Sequence, residues 1–347
     1  KIQRMKLKQL LLFWAIFTTL GTLQAQDVHF SLFNMSPFTL NPALTAAFEG
    51  TARIGGIYRD QWSSFLPNQF TTNSFNIDAP IIRGFRKNDW VGIGMMTLGD
   101  QAGTARLKNN VNMLNLSYHL ALGQGYKTML TLGLQGGRVN RSINLMSDGL
   151  QFEDELDLVG GTPGSSQDRN FGERKEYFDF GAGLMLRTEL NRLTNLEVGL
   201  AFFHITQPNY AFGGAGFDRD AGKRPMRIAA HATYNQSLTD KWSIAPTLLL
   251  QTTAGSTETV LEGWGGYQIN PDFKLNFGAG YRFADAGQVL LGMDYQSVLR
   301  VALGYDVNVS SLNEVTNFRG GFEIAAWYIL KMHKKPDVKP TIICPKF

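Results

Sequence analysis

The sequence predicts an all-β chain, a transmembrane antiparallel β-barrel of about fourteen strands with an amino-terminal plug-like segment. Three observations carry that prediction. Between Phe273 and Tyr305 three consecutive segments alternate apolar and polar residues, and a strand's side chains point alternately to opposite faces. The segments run about 9 to 11 residues, which is what a tilted strand needs to cross a bilayer core, whereas soluble strands cluster near 5 to 6. The connections alternate between a compact set and a longer set, as periplasmic turns and extracellular loops do.

The first of these segments puts Phe273, Leu275, Phe277, Ala279, Tyr281 and Phe283 on one face, with Lys274, Asn276, Gly278, Gly280 and Arg282 on the other. The second sets Val289, Leu291, Met293 and Tyr295 against Gln288, Gly292, Asp294 and Gln296. The third sets Val301, Leu303 and Tyr305 against Arg300, Gly304 and Asp306. Connections of a few residues make this a meander of hairpins. A large soluble barrel or sandwich also alternates. Charge on one face and rings at both ends favour a membrane wall, apolar outside and polar inside.

The elements follow in order. Lys1, Arg4, Lys6 and Lys8 precede an apolar run over residues 10–20, which the stretch Gly21 to Ala25 follows. This pattern predicts a secretory signal peptide over 1–25, cleaved after Ala25, and hence export through the inner membrane to the outer membrane. Residues 26–50 have no period, and Pro37 and Asn41-Pro42 break them. Phe30, Phe33 and Phe38 nevertheless need burial, so the segment is expected to fold into the lumen as a plug; a periplasmic arm is the alternative.

Strands are expected at 51–60, 70–78, 90–98, 111–121 and 127–139, then at 177–187, 195–206, 226–237, 242–252 and 258–269. The three segments above and 320–329 complete a barrel over 51–330. The compact turns fall at 122–126, 188–194, 238–241, 270–272 and 297–298, with 79–89 as a longer, basic exception. The long connections, 140–176 and 207–225, fall in the opposite set. Residues 331–347, rich in Lys and Pro, read as a periplasmic tail.

Composition narrows the function. The 37 glycines suit a crowded inner wall. A mean hydropathy of −0.14 is compatible with alternating strands, whose signal is diluted. One cysteine, Cys344, allows no internal disulfide, and a net charge of +4 gives no reason to expect a nucleic-acid partner. No cofactor is implied. Glu153, Asp154, Glu155 and Asp157 are close enough to suggest Ca²⁺, but the twelve-residue calcium-loop spacing and its glycine are missing, which favours a solvated acidic loop. The glycine-rich stretch 212–216 lacks the lysine and hydroxyl of a phosphate loop. Ser117 and His119 lie parallel on one polar face, and His231 lies on another. No third member or oxyanion donor can be named for a hydrolase, so an enzyme is not expected.

Several phrases resemble the PorP/SprF family of outer-membrane proteins of type IX secretion and gliding in Bacteroidota. The opening Gln26-Asp27, Phe30, Asn34, Pro37, Leu40, Asn41-Pro42 and Ala43 is similar to the family's, as is Tyr58-Arg59-Asp60-Gln61-Trp62. So are the segment 92–103 with Asp100, the closing Gly304-Tyr305-Asp306-Val307-Asn308, Gly320-Gly321-Phe322-Glu323, and Cys344-Pro345-Lys346-Phe347. The resemblance implies a barrel of the fatty-acid-transporter type, working beside type IX secretion components in outer-membrane lipid. It also implies binding the carboxy-terminal domain of secreted adhesins and holding them at the cell surface. A transporter of hydrophobic small molecules is the alternative. The long connections carry no family phrase, so partner contacts are expected there, at Glu153, Asp154, Asp157, Phe171, Tyr210, Phe212 and Phe217. Glu323 is expected to pair with an inward arginine such as Arg282 or Arg300, and Trp62 to sit at the membrane interface beside Arg59 and Gln61.

Overall fold

The computed structural model describes residues 28–62, 70–83, 88–123, 125, 127–147, 150–156, 166, 169, 173–212, 222–310 and 313–332. Fourteen antiparallel strands close into one barrel in simple meander order. They are β1 (Ala52–Gln61), β2 (Phe70–Arg83), β3 (Trp90–Ala102), β4 (Leu107–Leu122), β5 (Thr128–Ser142), β6 (Arg174–Asn191) and β7 (Thr194–Phe203), followed by β8 (Arg227–Ser237), β9 (Trp242–Thr253), β10 (Ser256–Gln268), β11 (Phe273–Arg282), β12 (Ala286–Tyr295), β13 (Leu299–Asn308) and β14 (Arg319–Leu330). The seam pairs β1 with β14 from Ala52↔Leu330 to Gln61↔Gly321, leaving no edge open.

Side-chain parity separates two solvents. Leu114, Leu116, Leu132, Leu134, Phe277, Val289 and Leu291 stand exposed on the outer surface, while Arg53, Arg59, Asp78, Glu262, Arg282 and Glu323 are buried inside. A belt this apolar is costly in water and favourable in hydrocarbon. Aromatic girdles edge the belt. Trp242 packs on Tyr267 at 4.8 Å and Phe273 on Tyr295 at 4.9 Å near the short-turn rim, and Tyr281 meets Phe283 at 5.2 Å near the other. Phe273 and Tyr281 are eight residues apart on β11, or roughly 27 Å along the strand at ~3.4 Å per residue. A tilt of about 40° foreshortens that to roughly 21 Å, close to the ~25 Å apolar band of such barrels.

Each strand falls where the alternation predicts it, and many run further. β4, β5 and β6 reach 16, 15 and 18 residues, so this side of the wall rises beyond the bilayer toward the long connections. Alternation on the lipid face ends at the interface, so it misses such extensions. Phe178, 65% exposed, and the surface pair Arg138–Glu176 mark the emergence. The expected connection 79–89 is shorter, because β2 continues through Pro80 to Arg83. A register shift between Pro80 and Ile82 admits the proline into the ladder.

Candidate functional site

The lumen holds residues 28–47. They form a 3₁₀ turn at Phe33–Met35, one α-turn at Pro37–Leu40 and a second 3₁₀ turn at Pro42–Leu44. Pro37 and Pro42 preset the first dihedral of their turns and forgo a backbone donor that would otherwise need a partner. Turns this short cannot satisfy their own backbone, so the barrel wall does. The apolar side chains settle on inward wall residues. Phe30, Leu32 and Met35 pack with Ile57, Leu98, Leu290, Ala302 and Ala325, Phe33 and Leu40 with Leu249 and Val260, and Phe38 with Met96, Met113 and Val139. Gly133 and Gly183 are required by this approach, since a Cβ at either would overlap the Ala43 backbone or the Asn41 amide.

Besides the Gln135 and Arg227 donors to the Phe38 and Thr39 carbonyls, four polar anchors fix the segment. At the seam, Glu323 accepts the Ser31 and Leu32 N–H groups, each at 2.7 Å, and pairs with Arg59. Asp306 accepts the Ser31 hydroxyl at 2.5 Å, Arg59 at 2.9 Å and Arg282 at 3.3 Å, and Arg282 also reaches Asp285 at 2.8 Å. On β2, Asp78 accepts the Ala46 N–H at 2.7 Å and both donors of the Arg53 fork, at 2.9 and 2.7 Å, while Arg53 donates to the Leu44 carbonyl at 3.2 Å.

The third anchor is the Thr45 carbonyl. It accepts the Ser117 hydroxyl at 2.7 Å and lies 2.8 Å from His119 Nε2, with the His119 ring stacked on Trp90. In the fourth, Asn41 donates to the Leu184 carbonyl at 3.1 Å and sits 3.2 Å from His231 Nε2, while its own carbonyl caps Ala43 at 2.9 Å. Buried charges at these anchors are matched, as removal from water requires. Ser117 and His119, the pair weighed for hydrolysis, both point at the Thr45 carbonyl.

A cavity lies on each side of the segment. That toward the short-turn rim encloses about 470 Å³ and includes Phe33, Arg53, Glu197, Lys274, Arg300 and Trp327 in its walls. That beneath the long connections encloses about 430 Å³ and is lined in part by Arg59, Asp100, Arg141, Tyr177, Asp179 and Arg224. Outside the membrane, the connection between β5 and β6 is braced from within. Arg169 grips Glu155 with two donors at 2.6 Å each, lies over the Phe152 ring and also reaches the Leu145 and Leu150 carbonyls. This clasp, joined by the Ser166 N–H, holds the Glu155 carboxyl well below the usual range, at about 2.

The sequence-predicted residues divide among these places. Asn41 and Pro42 sit in the lumen, and Arg59, Asp306 and Glu323 meet at one anchor. Glu323 takes Arg59 as its partner, not Arg282 or Arg300; Arg282 goes to Asp306 and Arg300 to Asp294. Tyr58 faces lipid, 41% exposed. Gln61 and Asp100 line the cavity under the long connections, where Asp100 accepts Thr72 at 2.7 Å. Trp62 meets Phe70 edge-on at 5.2 Å. Glu153 is exposed in a 3₁₀ turn that includes Asp154, and Tyr210 and Phe212 lie against Arg141. Asp157, Phe171, Phe217, Cys344, Pro345 and Phe347 lie outside the described residues. Among the described residues, no three His, Cys, Asp or Glu side chains group as a metal site.

Ser31, Arg53, Asp78 and Arg141 also stand among the site residues without having been singled out by sequence. Inward parity of an arginine or aspartate was the only signal for Arg53 and Asp78; Ser31 and Arg141 fell in stretches expected to be without period and had none.

No curated protein matches the chain. Among solved structures it is similar to the CymD monoaromatic hydrocarbon channel, at 12% identity over 90% of this chain and 96% of that one, with a TM-score of 0.49. It is also similar to the Ralstonia pickettii toluene transporter TbuX, at 11% identity over 90% and 96%, with a TM-score of 0.49. A Pseudomonas aeruginosa FadL homologue gives 12% identity over 83% and 92%, with a TM-score of 0.46. Likeness at this level carries nothing about cargo. The family described as type IX secretion system membrane protein PorP/SprF matches residues 22–328, nearly the whole chain. The chain belongs to the PorP/SprF family and is an outer-membrane β-barrel component of type IX secretion.

Proposed function

We propose that the barrel binds the carboxy-terminal domain of secreted adhesins through its long connections and holds them at the cell surface, without performing chemistry. The observation that supports this most is the seating of residues 28–47 in the lumen on four buried anchors. A lumen so occupied is poorly suited to passing a polypeptide, which leaves the rim as the working surface. The braced turn at Glu153–Glu155 and the base of the connection between β7 and β8 offer a shaped, polar and aromatic face there. In this reading residues 1–25 are removed on export, 26–50 act as the plug, and 331–347 reach the periplasm to meet other secretion components.

The test is an affinity pull-down from detergent-solubilised outer membranes, comparing the intact chain with one lacking residues 145–174. Recovery of a large secreted protein through its carboxy-terminal domain, lost with the loop, supports attachment. Two cavities of about 470 and 430 Å³ flanking the plug favour a second reading, transport of hydrophobic small molecules. That reading expects fatty acid or other lipid in the eluate and no protein partner.

A further inference from the structure

The cavity beneath the long connections holds an arginine, Arg141, that has no carboxylate partner among the described residues. Arg141 is the penultimate residue of β5, on the inward side. Its guanidinium lies over Tyr210 at 4.7 Å and Phe212 at 4.9 Å and spends one donor on the Tyr210 carbonyl at 3.0 Å. An arginine carries five N–H donors in a fixed fork, and among the described residues no carboxylate pairs with this one. The other arginines of the cavity are engaged. Arg59 is held by Glu323 and Asp306. Arg224 donates to Tyr177 at 2.9 Å and stands 3.8 Å from Asp179. Arg227 lies over Phe203 at 4.1 Å and donates to the Thr39 carbonyl at 3.0 Å.

The anions of the cavity are likewise committed, Asp179 to His204 at 2.5 Å and Asp100 to Thr72 at 2.7 Å. The rings are held in place by the hairpin-like base of their connection. Tyr210 N–H donates to the Gly222 carbonyl and Arg224 N–H to the Pro208 carbonyl, each at 2.9 Å, around the Asn209↔Lys223 bridge. A half-buried, stacked fork with free donors beside about 430 Å³ of space, much of it walled by apolar side chains, matches one ligand chemistry. We infer that this cavity is a binding site for a carboxylate borne on an apolar or aromatic body, with Arg141 as its counter-ion and the neighbouring rings as its platform. The free end of a polypeptide and a free organic acid both carry that group.

The inference goes beyond the attachment reading and stands or falls separately from it. The test is calorimetric titration of the full-length barrel in detergent with four probes: N-acetyl-Ala-Ala-Phe with a free carboxylate, its carboxy-terminal amide, 4-phenylbutyrate, and 4-phenylbutyramide. At least one acid is expected to bind roughly tenfold or more tightly than its own amide, as a charge-assisted pair requires. Arg141→Gln should erase that difference while heat-modifiable migration stays unchanged, and Arg141→Lys should keep part of it. Preference confined to the peptide acid identifies a chain terminus as the source, and preference confined to phenylbutyrate identifies a small acid. Equal binding of acid and amide, no binding by any probe, or an undiminished difference in Arg141→Gln overturns the inference.

Discussion

Arg59 and Glu323 stand directly opposite each other on the first and last strands, 264 residues apart in sequence, and form an ion pair inside the barrel. The same carboxylate accepts the Ser31 and Leu32 N–H groups. The barrel seam and the amino-terminal segment therefore share one carboxylate: Glu323 pairs with Arg59 across β1 and β14 and also accepts the segment's backbone.

Removing Arg59 should unseat both. Arg59→Ala leaves Glu323 and Asp306 buried without their shared cation, which costs about 3–5 kcal/mol. Urea unfolding followed by heat-modifiable migration should show a large loss of stability, and a protease should cut near residue 30 in the folded barrel. Full protection with wild-type stability would contradict the anchor.

The glycine clearances make a separate prediction about the lumen. Gly183→Val puts bulk where Asn41 lies, without touching the lipid face. In a planar bilayer the intact protein should be nearly silent and the variant should conduct, while both migrate as folded barrels. Equal conductance would mean that residues 28–47 do not close the lumen.

His119 supplies a test of a structural against a catalytic role. His119→Ala loses the contact to the Thr45 carbonyl, the Thr131 hydroxyl bond and the stack on Trp90. It should lower stability by about 1–3 kcal/mol, measured by urea unfolding, and leave partner binding in the pull-down intact.

The Glu155–Arg169 clasp fixes a pH response in the loop. The Glu155 carboxyl is depressed to about 2 when folded, against roughly 4.3 in an unfolded chain. A depressed carboxylate contributes stability above its unfolded value and loses it as pH falls through the folded one. Protection of the Ser166 amide against hydrogen exchange should therefore persist at pH 5 and disappear between about pH 4 and 2. Loss near pH 6 would place the clasp under the control of another group.

The strands were legible because one physical rule writes them. Every second residue meets lipid, so Phe273, Leu275 and Phe277 announce the wall without any knowledge of their neighbours. The contents of the lumen were legible only in part. Phe30, Phe33 and Phe38 in a segment without period required burial and pointed inward. Which carboxylate meets which arginine did not follow, since pairs such as Arg59–Glu323 depend on register across the closed seam. Arg141 was hidden for a related reason: its rings arrive from the connection after β7, which has no period to read.

The most direct test of the account places a photo-crosslinking amino acid at Glu153, on the long-connection side, and separately at Ile269, on the short-turn side, in cells actively secreting adhesins. An adduct with the carboxy-terminal domain of a secreted protein is expected from position 153 and none with that domain from position 269. An adduct only from position 269, or none from either in cells that display the adhesin normally, would contradict it.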